Sequence, residues 1–348
     1  MVIPLRRTCL PTDNEKLEEP MPLITRRSFT GGLAALSVSL LAAPRAFAQA
    51  GAFPVTIKHA LGETTLEKAP QRVVTIGWIT QDAVVALDAA PVAVPQQAWG
   101  GDDNKILPWL TEALAQRGMA MPERINFDTE IPYEQVLALE PDAILAFYSG
   151  LTQEQYDRLS AIAPVVAYPD KPWANNWQDI TRSAGQALGK AAEAQALIDR
   201  TNGLVDAAAA AHPQFKGKTF TFASAWVGEP GINVYTVSDP RVQLVEQLGL
   251  VPSEGAKALS VEPGYFKTVS FENLASVDAD VVIFLDEGDE ASDAIYKTEA
   301  MQRFAPIAAG HILRMTDHAF VMATSAPSVL AIPWMLERFV PQLAEVVG

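Results

Sequence analysis

The residues of this chain best suited to chemistry are aromatic. Trp78, Tyr148 and Trp226 each follow a short β-branched or apolar run, the point at which strands of α/β folds end and ligands are placed. Trp99, Trp173, Tyr235 and Tyr265 lie in stretches dense in Gly, Pro, Asn and Asp. Rigid rings with a polar edge suit a bulky ligand that needs both apolar contact and hydrogen bonds. The other use of such rings is to seal loops onto a core, and Trp177 and Trp334, on helical patterns, are read that way. Arg241 is singled out as an anion partner for the cleft, with Arg158, Lys171, Lys267 and Arg314 as further basic residues that the sequence leaves unplaced.

Catalytic signatures are missing. There is no G-x-S-x-G, H-E-x-x-H or G-x-G-x-x-G, and the Gly185 to Gly189 spacing fails the phosphate-loop pattern. The histidines, His59, His212, His311 and His318, are dispersed, whereas a bound ion needs three or four converging ligands. The expectation is a protein that is not an enzyme, with no cofactor and no metal of its own. A formal charge of -15 repels phosphate backbones and excludes a nucleic-acid partner.

The elements that must carry these residues follow one grammar. Arg72-Val73-Val74-Thr75-Ile76 reads as a strand and the stretch from Thr80 as a helix; the same order recurs before Ala143-Ile144-Leu145-Ala146-Phe147 and before Val281-Val282-Ile283-Phe284-Leu285. Alternating strands and helices predict an α/β fold of largely parallel sheets covered by helices. Segment 131–142 is repeated 138 residues later as 269–280, without a gap. Each copy holds an aromatic, a Glu, an amide and an aliphatic in order, Tyr133-Glu134-Gln135-Val136 and Phe271-Glu272-Asn273-Leu274. Each also places Asp142 or Asp280 just before a strand. Two similar lobes are predicted, 49–176 and 213–348. Between them 177–212 is helical, and its 190–211 portion would reach roughly 33 Å at 1.5 Å per residue. Pro213 ends it, and the ligand cleft is expected between the lobes.

Ahead of the lobes lies a leader, 1–48. Arg26 and Arg27 precede an apolar run at 31–43, too short to span a bilayer, and Ala46-Phe47-Ala48 has the form of a signal-peptidase site. The paired arginines are of the twin-arginine type. Met21 is read as the true start, cleavage leaves Gln49 first, and the only cysteine, Cys9, lies upstream of the cleavage site, so no lipid anchor is expected there. The product is a soluble, acidic, exported protein of the periplasm.

These features together resemble iron-siderophore substrate-binding proteins of ABC importers. The resemblance rests on the twin-arginine leader, the opening Pro70-Gln71-Arg72-Val73-Val74-Thr75-Ile76-Gly77-Trp78, the segment from Leu137 through Glu140-Pro141-Asp142 to Ala146, and Ile162-Ala163-Pro164-Val165-Val166. The wider family includes ferric-hydroxamate, heme and vitamin B12 binders. The resemblance implies two lobes joined by one long helix, an iron chelate held between them, little hinge motion, and a monomer that docks onto an inner-membrane ABC permease dimer. It also implies one docking glutamate per lobe, Glu134 and Glu272. A hydroxamate or mixed siderophore is favoured over a tris-catecholate, because the acidic run 286–290 follows a strand of the second lobe. A corrinoid or heme carrier is the alternative, with Tyr148 or Tyr235 as a candidate axial ligand, and an exported siderophore hydrolase is a distant third.

Overall fold

In the computed structural model the described residues are 53–348 except Asp128, Ala174, Glu262 and Pro263, so the leader, its arginine pair and the cleavage site lie outside them. A hairpin, β1 (Val55–His59) with β2 (Gly62–Leu66), precedes the first α/β unit. That unit runs β3 (Val73–Gly77), α1 (Thr80–Ala86), β4 (Pro91–Pro95), α2 (Pro108–Gln116), β5 (Glu123–Ile125), α3 (Tyr133–Ala138), β6 (Ala143–Tyr148), α4 (Gln153–Ser160) and β7 (Val165–Val166). Its sheet is parallel, in the order β5-β4-β3-β6-β7. β3 and β6 are buried along their whole length, as expected of β-branched and apolar strands covered on both faces.

Helix α5 (Trp177–Ala187) packs back onto α1 and β6, and α6 (Ala191–Ala211) is the long connector. The second unit continues β8 (Thr219–Ser224), β9 (Gly231–Tyr235), α7 (Pro240–Gln247), β10 (Val251–Pro252), α8 (Glu254–Leu259), β11 (Phe266–Ser270), β12 (Val281–Leu285), α9 (Glu290–Tyr296), α10 (Glu299–Arg303), α11 (Ala305–Ala308), β13 (Ile312–Met315), α12 (His318–Ser325) and α13 (Ala331–Val347). This sheet is mixed, largely parallel as expected but with two antiparallel strands. β8, β12 and β13 are parallel, but β9 runs antiparallel to β8 and β11 antiparallel to β9. The antiparallel β8–β9 pair needs only the short connection 225–230, whereas a parallel pair needs a crossover.

The repeated segment acquires a physical reason. Asp142 accepts from the Gln71 and Arg72 amides at the start of β3, and Asp280 accepts from the Thr219 amide and hydroxyl at the start of β8. Each lobe thus anchors the beginning of a central strand with the acid that ends its copy of the motif. The second copy differs in one respect: 271–277 forms a 3-10 helix, where an α-helix was expected.

The halves share a core. One apolar cluster joins Val94, Trp109 and Leu110 of the first unit to Phe222, Phe320, Met335 and Phe339 of the second, and includes Trp177. At this seam the fully buried Asp82 of α1 accepts from Trp109 Nε1 at 2.7 Å and from Ser328 Oγ at 2.5 Å, while its Oδ1 has no partner. Ser328 in turn accepts from the Leu330 and Ala331 amides at the start of α13. Among the described residues no helix is long and apolar enough to cross a membrane.

Candidate functional site

One wall of the site is built where β3 and β6 end side by side. Gly77 has φ +101°, and a Cβ there would stand 2.0 Å from the Tyr148 carbonyl oxygen, so only glycine lets the chain turn this close to β6 and present the next residue, Trp78, outward. Trp173 reaches the same place from the loop before α5. Its backbone is left-handed at φ +58°, uncommon for a bulky residue and costly unless the surroundings hold it. Gly150 makes the room, since a Cβ there would meet the Trp173 indole nitrogen at 2.5 Å.

The rings form a triangle. Trp78 and Trp173 are 5.4 Å apart, Tyr148 and Trp173 5.7 Å in an edge-on contact, and Trp78 and Tyr148 6.5 Å. Both indoles are 43% exposed while Tyr148 is buried. Beneath them is a cavity of about 210 Å³ with polar groups from Gln97, Ser149 and Gln155.

The opposing wall comes from the second lobe. β9 ends at Tyr235, whose hydroxyl lies 3.2 Å from Ser224 Oγ, and the Arg241 guanidinium lies 3.8 Å over the Tyr235 ring. Asp239 caps α7, with Pro240 at the first helical position, and its Oδ1 is 2.7 Å from Arg241 Nε. Burial pushes the Asp239 carboxyl up, against the pull of Arg241 and of the amides it caps. Tyr265, well exposed, packs edge-on against Phe266.

Tyr148 connects the walls. Burial pushes its phenol up to about 12; the Asp239 carboxylate adds to the rise, Arg241 opposes it, and Tyr265 adds a smaller push. Three groups of the second lobe therefore lie within electrostatic reach of a first-lobe ring. Asp239, Arg241 and Tyr265 of the second lobe lie near the triangle of Trp78, Tyr148 and Trp173 of the first.

The two remaining aromatic candidates sit differently. Trp226, half-buried in the turn after β8, makes no ring contact among the described residues. Trp99 crosses to the other lobe: it stacks on His318 at 4.9 Å and 20°, and its indole nitrogen is 3.4 Å from Glu287, which is 2.9 Å from His318. This contact was not foreseen, because nothing in the sequence links positions 99, 287 and 318.

The acidic run is also spoken for. Asp286 is buried against Arg314, Glu287 joins Trp99, and Asp289 caps α9. Arg314, held by Asp286 and Asp293, is therefore already engaged as a partner of protein carboxylates. Arg158 lies 3.7 Å over Tyr133, away from a ligand role. Asp239 was missed, although the Asp-Pro pair ahead of Arg241 is a helix-start signature visible in the sequence. Glu134 and Glu272 are both exposed, each beside a half-buried aromatic. No group of His, Cys, Asp and Glu side chains among the described residues could hold a metal ion.

Comparison with known proteins adds the lineage. The profile of the periplasmic binding protein family matches residues 73–319. The ferric enterobactin-binding periplasmic protein FepB of Escherichia coli O6:H1 is 28% identical over 282 residues, 76% of this chain and 84% of that protein. The Fe(3+) dicitrate-binding periplasmic protein FecB of E. coli K12 is 29% identical over 210 residues, 60% of this chain and 65% of that protein. The crystal structure of PiaA from Streptococcus pneumoniae TIGR4 in complex with ferrichrome superimposes with a TM-score of 0.76 at 31% identity, over 84% of this chain and 98% of the other.

Proposed function

The chain belongs to the periplasmic binding protein family, and we propose that it captures a ferric siderophore between its lobes and delivers it to the permease of an ABC importer. The observation that carries this reading is the cleft itself, with exposed indoles on one wall and a guanidinium over a tyrosine ring on the other. Three similar proteins whose names or structures include a ferric chelate support it. The cavity under Trp78 and Trp173 takes one face of such a ligand, and the open cleft takes the rest.

Charge selects the chelate class. Arg241 is a basic side chain of the second-lobe wall, and Asp239 already offsets it. A highly anionic tris-catecholate would meet Asp239 and Glu287 with little compensation, whereas a neutral ferric hydroxamate asks only for hydrogen bonds and apolar contact. Heme is poorly served: the Tyr148 and Tyr235 side chains are buried, and the Tyr235 hydroxyl pairs with Ser224. The loaded protein, a monomer without resident cofactor, would dock onto a two-fold permease through Glu134 and Glu272, one per lobe. Export by the twin-arginine route, with a mature terminus at Gln49, completes the reading.

Titration of the mature protein with ferric hydroxamates, ferric catecholates, cobalamin and hemin, followed by tryptophan emission, tests the assignment. Strong quenching by a ferric hydroxamate is expected. Saturable binding of cobalamin or hemin with none of any ferric siderophore would overturn it.

A further inference from the structure

The two copies of the repeated segment are alike in sequence but present different surfaces. In each, the aromatic is half-buried, the aliphatic (Val136 or Leu274) is buried and the glutamate is exposed. The differences lie one turn beyond the glutamate. In the first lobe Leu137 stands 58% exposed, and Arg158 covers the Tyr133 ring. In the second lobe the equivalent of Leu137 is Ala275. The Phe271 ring there faces a groove of about 510 Å³ between the 3-10 helix 271–277 and α10–α11.

The groove has an apolar floor of Leu274 and Phe304, small walls of Ala275 and Ala300, and a charged rim. Three rim carboxylates, Glu272, Asp278 and Glu299, stand against one guanidinium, Arg303, which pairs with Glu299. An apolar slot with an acidic rim is complementary to an apolar side chain flanked by basic residues.

We infer that the two docking faces are unequal: the second-lobe face receives an apolar side chain of a basic permease loop in the groove beside Glu272, and the first-lobe face offers Leu137 as a knob. This rests on the reading that Glu134 and Glu272 dock onto a permease. A two-fold permease would then meet a hole on one subunit and a knob on the other, so the complex has a defined asymmetry despite matched glutamates.

Ala275→Trp fills the groove without changing charge, at an exposed position outside the cleft. In cells lacking the native gene, uptake of radioactive iron added to the spent medium of the iron-starved strain should fall at least tenfold with this variant. Ferrichrome quenching of the purified variant should match the parent. Leu137→Ala, which trims the knob without blocking a hole, should lower uptake less. Normal uptake with Ala275→Trp beside a collapse with Glu272→Arg would sink the groove and leave the docking glutamates standing. Normal uptake with Glu134→Arg, Glu272→Arg and Ala275→Trp together would remove both readings. Lost uptake with equally lost quenching would place the effect of Ala275→Trp in the cleft or the fold and overturn the inference.

Discussion

Asp82 offers a prediction with a worked magnitude. Its carboxyl is fully buried at the seam between the lobes, and burial pushes its pKa up from 3.8 to about 7, against the pull of hydrogen bonds from Ser328 and Trp109. Because the folded-state value is raised, the folded protein holds a proton that the unfolded chain has released throughout the window between the two values. Stability from this group is thus full below about pH 4 and is lost as pH rises to 7. One pKa unit corresponds to about 1.4 kcal/mol, so the two units between pH 5 and 7 amount to about 3 kcal/mol, and little more is lost by pH 8. Asp82→Asn stands in for the protonated form, since its carbonyl can accept from the same two donors and its amide faces the same unpartnered side. The assay is urea denaturation of parent and variant from pH 5 to pH 8. The stability advantage of the variant over the parent is expected to grow by about 3 kcal/mol from pH 5 to pH 8, with titrations elsewhere, including that of Asp239, cancelling in the difference. Parallel stability curves across this range would refute an uncharged Asp82 in the folded protein.

Other predictions concern the cleft and the leader. Trp78→Ala and Trp173→Ala should each weaken binding of a ferric hydroxamate by about 1–3 kcal/mol, the range for a central aromatic anchor, and each should reduce the quenching amplitude; unchanged affinity in both would make these rings loop seals. Arg241→Met strands the buried Asp239 carboxylate and should destabilise the fold by about 3–5 kcal/mol. Adding Asp239→Asn should restore stability, read by thermal melting, without restoring affinity, and recovery of both would assign Arg241 a purely structural role. Changing Arg26 and Arg27 to Lys should leave precursor in the cytoplasm, seen as the longer band on fractionation; periplasmic protein still carrying 21–48 would refute the leader assignment.

Much of this architecture is legible in the sequence because the signals are local. Val73 to Ile76, the run from Ala143, and the run from Val281 have nothing polar enough for a surface strand, and each lies buried within a sheet. The repeat at 131–142 and 269–280 is legible because both lobes anchor a strand with the same aspartate. The direction of β9 is not legible, since Ile232 and Val234 would serve a parallel strand as well. The 3-10 form of 271–277 depends on its neighbours. At the site, strand-end positions locate Trp78 and Tyr148, but the pairing of Trp99 with His318 and Glu287 joins residues about 190 positions or more apart and is set by how the lobes meet.

That meeting of lobes bears on how the cleft would work. A single apolar cluster runs from Trp109 to Phe339, Asp82 ties α1 to the start of α13 through Ser328, and Trp99 rests on the second lobe beside Glu287. Opening the lobes widely would expose part of that shared core and separate hydrogen-bonded partners, which costs free energy in proportion to the apolar area uncovered. Walls fixed in this way are already spaced for the ligand, so less of the binding energy goes into ordering the protein and more appears as affinity. The left-handed Trp173 fits the same logic, because its strained backbone is held in advance by Gly150 and the Trp78 and Tyr148 rings instead of being imposed by the ligand. On the proposed function, a pre-set aromatic cleft of this kind would discriminate by shape and charge at its walls, and the offset of Arg241 by Asp239 would set how anionic a chelate it accepts.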